Sequence, residues 1–521
     1  MRRSLDFSSD LRRIGHYLMI RERSIKNGAF LVFSVFAVII FSARYWLPFL
    51  GITWPFTELS LFWQHSFWYD CATSFLEACV AFFSAIIVVL GLLICSSFSA
   101  FFRSSLRFFV KILSIIPAIA LVGFFAFIFN GFWTVALIAS SGLIVRCVAA
   151  VLNIEGQIPP LLVKSARALR LKPWQQFWRL QIPIAYPAMA RAIALDMPNF
   201  WVRFLGAEWL ISSWGASGER GIGGHVLASF KASDLIGFCK TTAATIIFVA
   251  FFHRLFVKPL LKRVKRYDVL SSSLIKLTNI ELYSRELGKS WSNLTIFILC
   301  LLISLIAFSM GSGSVLPLLL NGLSSLILWA VSLGLALALW VMVGGLTLTS
   351  SRNFRFRARH WAYFSLIFPC FILFPLLGSF LPSVFLLALA VQGAYGESVF
   401  YRDEDVTRNK LLEMAYRLRL SKYVIWFRVK LPLLLPSLAR GCLLASYPLW
   451  NLILLTGIML PSHHLLWEHG LGTILLNAVR TGNYWSQFGI FAFVTALSYG
   501  LTFFFLLPLC FHIHRRFRMH S

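Results

Sequence analysis

The residues most able to do chemistry in this 521-residue chain are charges set inside apolar runs: Glu77, Arg146, Arg191, Asp196, Arg203 and Glu208 in the first half, and Arg440 in the second. A charged side chain at the centre of a membrane helix costs about 2.5–3.5 kcal/mol on insertion scales, so such residues usually face a cavity or a partner. Glu77, Arg146, Asp196, Arg203 and Glu208 are therefore candidates for lining a passage. If an anion is bound near the midplane, its contacts are expected mainly from the first half. The structural alternative is that Arg203 pairs with Glu208, five residues on, while Asp196 holds Arg203 or a neighbour. Arg191 and Arg440 follow prolines near an expected membrane boundary and read as anchors, because long cationic side chains snorkel there at low cost.

Bond chemistry finds less support. His463, His464 and His469 share one loop with no second cluster to complete a metal site, and the nine cysteines are scattered, mostly inside apolar runs. Gly221, Gly223, Gly470 and Gly472 read as tight turns. No GxxxxGK[ST] is present, so the chain has no phosphate loop, no catalytic residues are assigned, and any ATP hydrolysis belongs to another chain.

The elements that must position these charges follow from composition. The chain is 59% hydrophobic and 13% charged, against about 25% charged in soluble domains, which places it in a bilayer. A net charge of +28 on a soluble domain would suggest nucleic acid. Here the basic residues fall in short segments between apolar runs of about 20 residues, so the charge is a topology signal and nucleic acid is not expected as a partner. Apolar windows place spans near 28–48, 74–97, 112–130, 132–152, 187–213 and 236–257, then near 294–312, 322–348, 361–381, 383–400, 437–461 and 487–511. The expected fold is thus an all-α integral membrane protein with two six-span halves, twelve transmembrane helices in all. Lys and Arg are absent from the connections 47–72 and 310–322, and concentrate in alternate ones, such as Arg103, Arg107 and Lys111, or Arg352, Arg355, Arg357 and Arg359. By the positive-inside rule both termini are cytoplasmic. The expected organisation is a cytoplasmic N-terminal segment (1–27), a first six-span half (28–257), a cytoplasmic linker (258–292), a second half (293–511) and a basic cytoplasmic tail (512–521).

One basic stretch occurs twice. KSARALRLKPWQQFWRLQIPIAYP runs from Lys164 to Pro187, and EMAYRLRLSKYVIWFRVKLPLLLP from Glu413 to Pro436. An offset of 249 residues aligns Ala166 with Ala415, Leu169 with Leu418, Arg170 with Arg419, Pro183 with Pro432 and Pro187 with Pro436. Gly221 and Gly223 likewise precede Gly470 and Gly472 by 249, while Pro117 aligns with Pro369 at 252. The halves repeat in parallel, related by an axis along the membrane normal. Each copy has an aromatic set at i, i+3, i+4 (Trp174, Phe177, Trp178; Tyr423, Trp426, Phe427), expected on one helix face at headgroup depth. The front of each copy, with Ser165, Ala166, Arg167, Leu169, Arg170 and Leu171, or Met414, Ala415, Arg417, Leu418, Arg419 and Leu420, is shaped to enter a groove on a partner.

The doubled stretch resembles the EAA loop of permease subunits of ATP-binding-cassette importers: Glu-Ala-Ala, three residues, Gly, nine residues, Ile, one residue, Leu-Pro. Lys164-Ser165-Ala166, Arg170, Leu180, Ile182 and Pro183 stand at that spacing in the first copy, and Glu413-Met414-Ala415, Arg419, Val429, Leu431 and Pro432 in the second. Arginine replaces the family glycine in both, and the leading glutamate is present only as Glu413. Arginine there suggests either a continuous helix or a different contact with the ATPase. The resemblance covers roughly 70–255 and 320–510, and is nearest to permeases for nitrate, sulfonate and taurine type anions, through SIIPAIALVGFFAFIFNGFW and AEWLISSWGASGERGIGGHVLASFKASDL. It implies a fused, duplicated permease in the bacterial inner membrane. Its partners would be two cytoplasmic ATPase subunits carrying ATP and magnesium, an extracytoplasmic solute-binding protein and membrane lipid, with no cofactor bound by the chain itself. A fused ferric iron or thiamine permease is the alternative within the family, and would bring Glu77, Asp196 and Glu208 together on the passage with no arginine beside them. An ion-coupled secondary transporter is the alternative of another class.

Overall fold

The computed structural model of the chain describes residues 65–155, 168, 173–213, 221–232, 234–271, 290–312, 314–347, 357–358, 361, 370–374, 382–400, 413–415, 417–459 and 470–517. Among these the regular elements are all helical. The first half forms α1 (His65–Phe98), α2 (Ala100–Leu113), α3 (Val122–Ile128), α4 (Gly131–Glu155), α5 (Ile182–Ser213), α6 (Ile222–Lys231), α7 (Leu235–Phe252) and α8 (Lys258–Ser271). The second forms α9 (Ser290–Ser312), α10 (Leu316–Thr347), α11 (Ser383–Ala390), α12 (Gln392–Phe400), α13 (Leu431–Met459), α14 (Leu471–Arg480), α15 (Tyr484–Gly500) and α16 (Leu507–Phe517).

Among the described residues, seven stretches are long and apolar enough to cross a membrane: Tyr69–Phe98, Gly131–Leu152, Ile236–Val264, Asn293–Ser312, Leu316–Leu346, Ile425–Gly457 and Tyr484–Arg516. Each overlaps an expected span. The helix α5 has 32 residues, about 48 Å at 1.5 Å per residue, and carries the charges of the expected span 187–213. The expected span 28–48 lies outside the described residues, as does most of 361–381.

Three expectations change: the span expected at 383–400 is interrupted at Val391 between α11 and α12, and two others follow. The window 112–130 is not one helix: α2 ends at Leu113, a turn and a 3-10 segment (Ala118–Leu121) follow, and α3 completes the passage. Pro117 at the break explains it, since proline disfavours helical geometry in the residue before it. Backbone groups freed at this depth need partners, and the second half supplies them. Asn451 Oδ1 accepts from the Ile119 N–H at 3.3 Å, and Ser498 Oγ donates to the Ile115 carbonyl at 3.1 Å. The expected linker, in turn, begins as helix: α7 runs through a π-helical turn (His253–Val257) into α8.

Among the described residues, four π-helical turns recur by the same logic. Phe177–Gln181, His253–Val257, Ile425–Lys430 and Leu501–Leu506 each end two residues before a proline, namely Pro183, Pro259, Pro432 and Pro508. A proline inside a helix lacks the N–H donor and its ring crowds the carbonyl four residues back. Widening the preceding turn accommodates both while the helix continues.

The core is built from helices rather than from a water-excluded globule, and in lipid such packing is driven by close van der Waals fit. α4 packs along α1 and α5, α9 along α15, and α10 and α12 along α13. Trp201 on α5 meets Phe248 and Phe252 of α7 edge-on at 5.4 and 5.2 Å, and 249 residues later Trp450 on α13 stacks on Trp329 of α10 at 6.2 Å. Outward faces carry Ile87, Phe101, Leu302 and Met342, suited to acyl chains.

Candidate functional site

Asp196 and Arg203 are seven residues apart on α5, two turns, so they share a face. Arg203 Nη2 donates to Asp196 Oδ2 at 2.6 Å. Arg146 of α4 reaches across with its Nε 3.0 Å from Asp196 Oδ1, and Asn199 Nδ2 donates to the same oxygen at 3.4 Å. The side chains of Asp196 and Arg203 are 1% and 6% exposed, that of Arg146 26%. Gly142, one turn before Arg146, lets the Arg203 guanidinium lie against α4, because a Cβ there would collide with it. Arg203 Nε is buried without a hydrogen-bond partner.

The expected alternative of an Arg203–Glu208 pair is not what forms. Five residues turn a helix by about 500°, which leaves the two side chains far around the axis from each other. Glu208 belongs to a second cluster. Its Oε1 accepts from Ser74 Oγ at 2.6 Å and its Oε2 from the Gly223 N–H at 2.7 Å, with Glu77 beside it. Ser74 Oγ in turn accepts from the Ile222 N–H at 2.9 Å, and Asp70 holds His225 Nε2 at 2.5 Å. Asp70, Ser74 and Glu77 repeat at four and three residues on α1, so one helix face fastens the start of α6 to α5. Side chains at Gly221 or Gly223 would run into Glu208.

The second copy of the doubled stretch is described from Glu413 to Ala415 and from Arg417 onward. Leu418 N–H donates to the Met414 carbonyl at 2.9 Å and Leu420 N–H to that of Ala415 at 3.4 Å. Arg419 between them has φ +50. That is a helix end closed by a left-handed residue, so of the two sequence alternatives the continuous helix is excluded for this copy: arginine adopts the turn that glycine takes more easily. Arg417 Nη2 reaches Glu413 Oε1 at 2.7 Å one turn back. Met414, Leu418, Leu420 and Tyr423 are exposed, Leu418 by 72%, whereas Ala415 faces inward. Ser165, Ala166, Arg167, Leu169, Arg170 and Leu171 of the first copy lie outside the described residues. Pro183 and Pro432 are the second residues of α5 and α13. The aromatic sets do not lie on one outward face: Trp174, Trp178, Tyr423 and Phe427 are exposed, Phe177 is buried, and a Cβ on Gly345 would meet the Trp426 ring.

Sequence reasoning missed Asp70, Ser74, His225, Gly142, Asn451 and Ser498. The spacing of Asp70, Ser74 and Glu77 was a usable signal, as were single polar residues inside apolar runs. The arrangement can hold an anion against a buried cationic cluster, fix the α6 entry, and offer an apolar surface to a partner. Among the described residues no group of His, Cys, Asp and Glu could hold a metal ion.

No match to the chain is found among curated proteins or among solved structures. Residues 87–265, from within α1 to within α8, match the family model described as binding-protein-dependent transport system inner membrane component. The match takes in the first copy of the doubled stretch and the whole Arg146–Asp196–Arg203 cluster. It supports a membrane permease role in binding-protein-dependent import, and on this segment the chain is similar to the inner membrane component of such systems.

Proposed function

We propose that this chain is the fused permease of an ATP-driven importer, equivalent to both membrane subunits, with two six-span halves in parallel repeat. The single observation that carries this is the family match over 87–265, which contains one copy of a stretch that the chain repeats. Two cytoplasmic ATPase subunits dock on the doubled loop, through Ser165–Leu171 and Met414–Leu420, and the exposed Met414 and Leu418 beside the Arg419 turn suit such docking. A solute-binding protein delivers cargo on the opposite face. Closure of the ATPases draws the loops together, and the continuous helices running from the π turns into α5 and α13 carry that motion into the bilayer.

The cargo is a small anion of nitrate, sulfonate or taurine type, and Glu77, Arg146, Asp196, Arg203 and Glu208 belong to the passage. The iron or thiamine alternative expects carboxylates without adjacent arginine, and Asp196 held between Arg146 and Arg203 speaks against it. Association of the chain with its ATPase, measured by co-purification, is expected to fall when Ser165–Trp174 or Met414–Tyr423 is deleted. Unchanged association and uptake in both deletions would overturn the loop assignment. Uptake that persists without nucleotide and collapses with an ion gradient would favour a secondary transporter.

A further inference from the structure

Two guanidinium groups share one carboxylate in the middle of the first half. Asp196 is shared by both arginines: Oδ1 takes Arg146 and Asn199, and Oδ2 takes Arg203. No other acid pairs with either arginine among the described residues. The cluster therefore carries one uncompensated positive charge, and buried charges persist where something pairs with them.

Arg146 is where that pairing is open. It spends only its Nε on Asp196, and its two terminal nitrogens have no partner among the described residues. Those nitrogens form the flat fork that matches an oxyanion edge through two parallel hydrogen bonds. About a quarter of the side chain is exposed, and a guanidinium exposed within a span faces water far more cheaply than hydrocarbon. Gly142 places the second guanidinium against the same face of α4, one turn away. The second half offers no equivalent, since Ala445 and Leu452 stand 249 residues after Asp196 and Arg203. Among the described residues there is one such cluster for the pair of halves.

Resting on the permease reading above, we propose that Arg146, Asp196 and Arg203 form the valence filter of the passage, which accepts a monovalent oxyanion and rejects a divalent one. Asp196 is the positioning residue: it orients both arginines and reduces the charge of the site from two to one. A monoanion on the Arg146 fork leaves the cluster neutral. A dianion leaves a buried negative charge without a partner, which the low-dielectric interior penalises.

The test uses the full chain in lipid nanodiscs, with sodium nitrate or sodium sulfate titrated against sodium chloride, which has no oxyanion edge, at constant ionic strength, and the unfolding temperature as readout. Nitrate is expected to raise it saturably and sulfate to have no such effect. Arg146→Gln should weaken the nitrate response about 30-fold or more, as when one partner of a buried charged hydrogen bond is truncated. Arg146→Lys, which keeps the charge and loses the fork, should fall between. Asp196→Asn should bring sulfate binding up to that of nitrate. Should that variant not fold, Asn199→Asp, which adds a negative charge beside Asp196, should abolish the nitrate response. Equal wild-type responses to the two anions, no response to either, or a nitrate response indifferent to Arg146→Gln would overturn the proposal. Co-purification with the ATPase reads the permease assignment separately, so loss of the anion response with the ATPase still bound removes the filter and leaves the permease.

Discussion

In α5, Asp196 sits between Arg146 and Arg203, and Glu208 fastens α1 to the start of α6; in α13 the corresponding positions are Ala445, Leu452 and Gly457. The surroundings of these positions are nevertheless alike. Ser74 caps the Ile222 N–H and Ser325 the Leu471 N–H, at 2.9 and 3.0 Å. Asp234 and Asn483 each cap the helix that follows, through Gly237 and Ser486. Both halves have π turns before paired prolines, Pro183 with Pro432 and Pro259 with Pro508. What the halves have in common is local backbone chemistry, which any such bundle needs to close its helix ends. What differs is charge, which only one of them needs if a single passage is to hold a single anion.

The asymmetry between the halves is most exposed to test at Asp196. Asp196→Ala leaves two buried arginines unpaired and should cost about 3–5 kcal/mol, seen as a lowered unfolding temperature or lost monodispersity. Adding Arg203→Leu copies Ala445 and Leu452 of the second half and should restore part of the loss, because an apolar pair of similar volume replaces a buried ion pair with little penalty. A double variant no better than the single would show that the two helices are not interchangeable environments. Ser74→Ala should cost about 2–3 kcal/mol and Ser325→Ala about 1, since only Ser74 also donates to a carboxyl group; equal losses would remove Glu208 as the difference. Arg419→Gly should stabilise by up to about 1 kcal/mol, the left-handed strain relieved less the entropy of glycine, as a small rise in unfolding temperature. The same sign for Arg170→Gly would extend the turn to the first copy.

Much of this was legible in the residue order. Apolar run length located the helices that became α1, α4, α7, α9, α10, α13 and α15, because a helix in hydrocarbon must satisfy its own backbone whatever its neighbours are. The pairing of Asp196 with Arg203 rather than Arg203 with Glu208 was accessible from helical geometry alone. The break at Pro117 was hidden by an unbroken apolar run, since hydropathy registers side chains and not backbone hydrogen bonds. Trp174, Phe177 and Trp178 read as one aromatic face, yet Phe177 turns into the core while its neighbours face outward.

Residue order alone was enough to read a helical membrane protein, a repeated basic stretch, and the charges expensive enough to need a purpose. Each of these depends on local composition or on spacing along one helix. It took the packing of the helices to show that Arg146 crosses from α4 to share Asp196, that Glu77 lies beside Glu208, and that Asn451 and Ser498 close the broken backbone at 115–119. Those pairings join residues between 50 and about 380 positions apart, where helix packing and not periodicity sets which side chains meet.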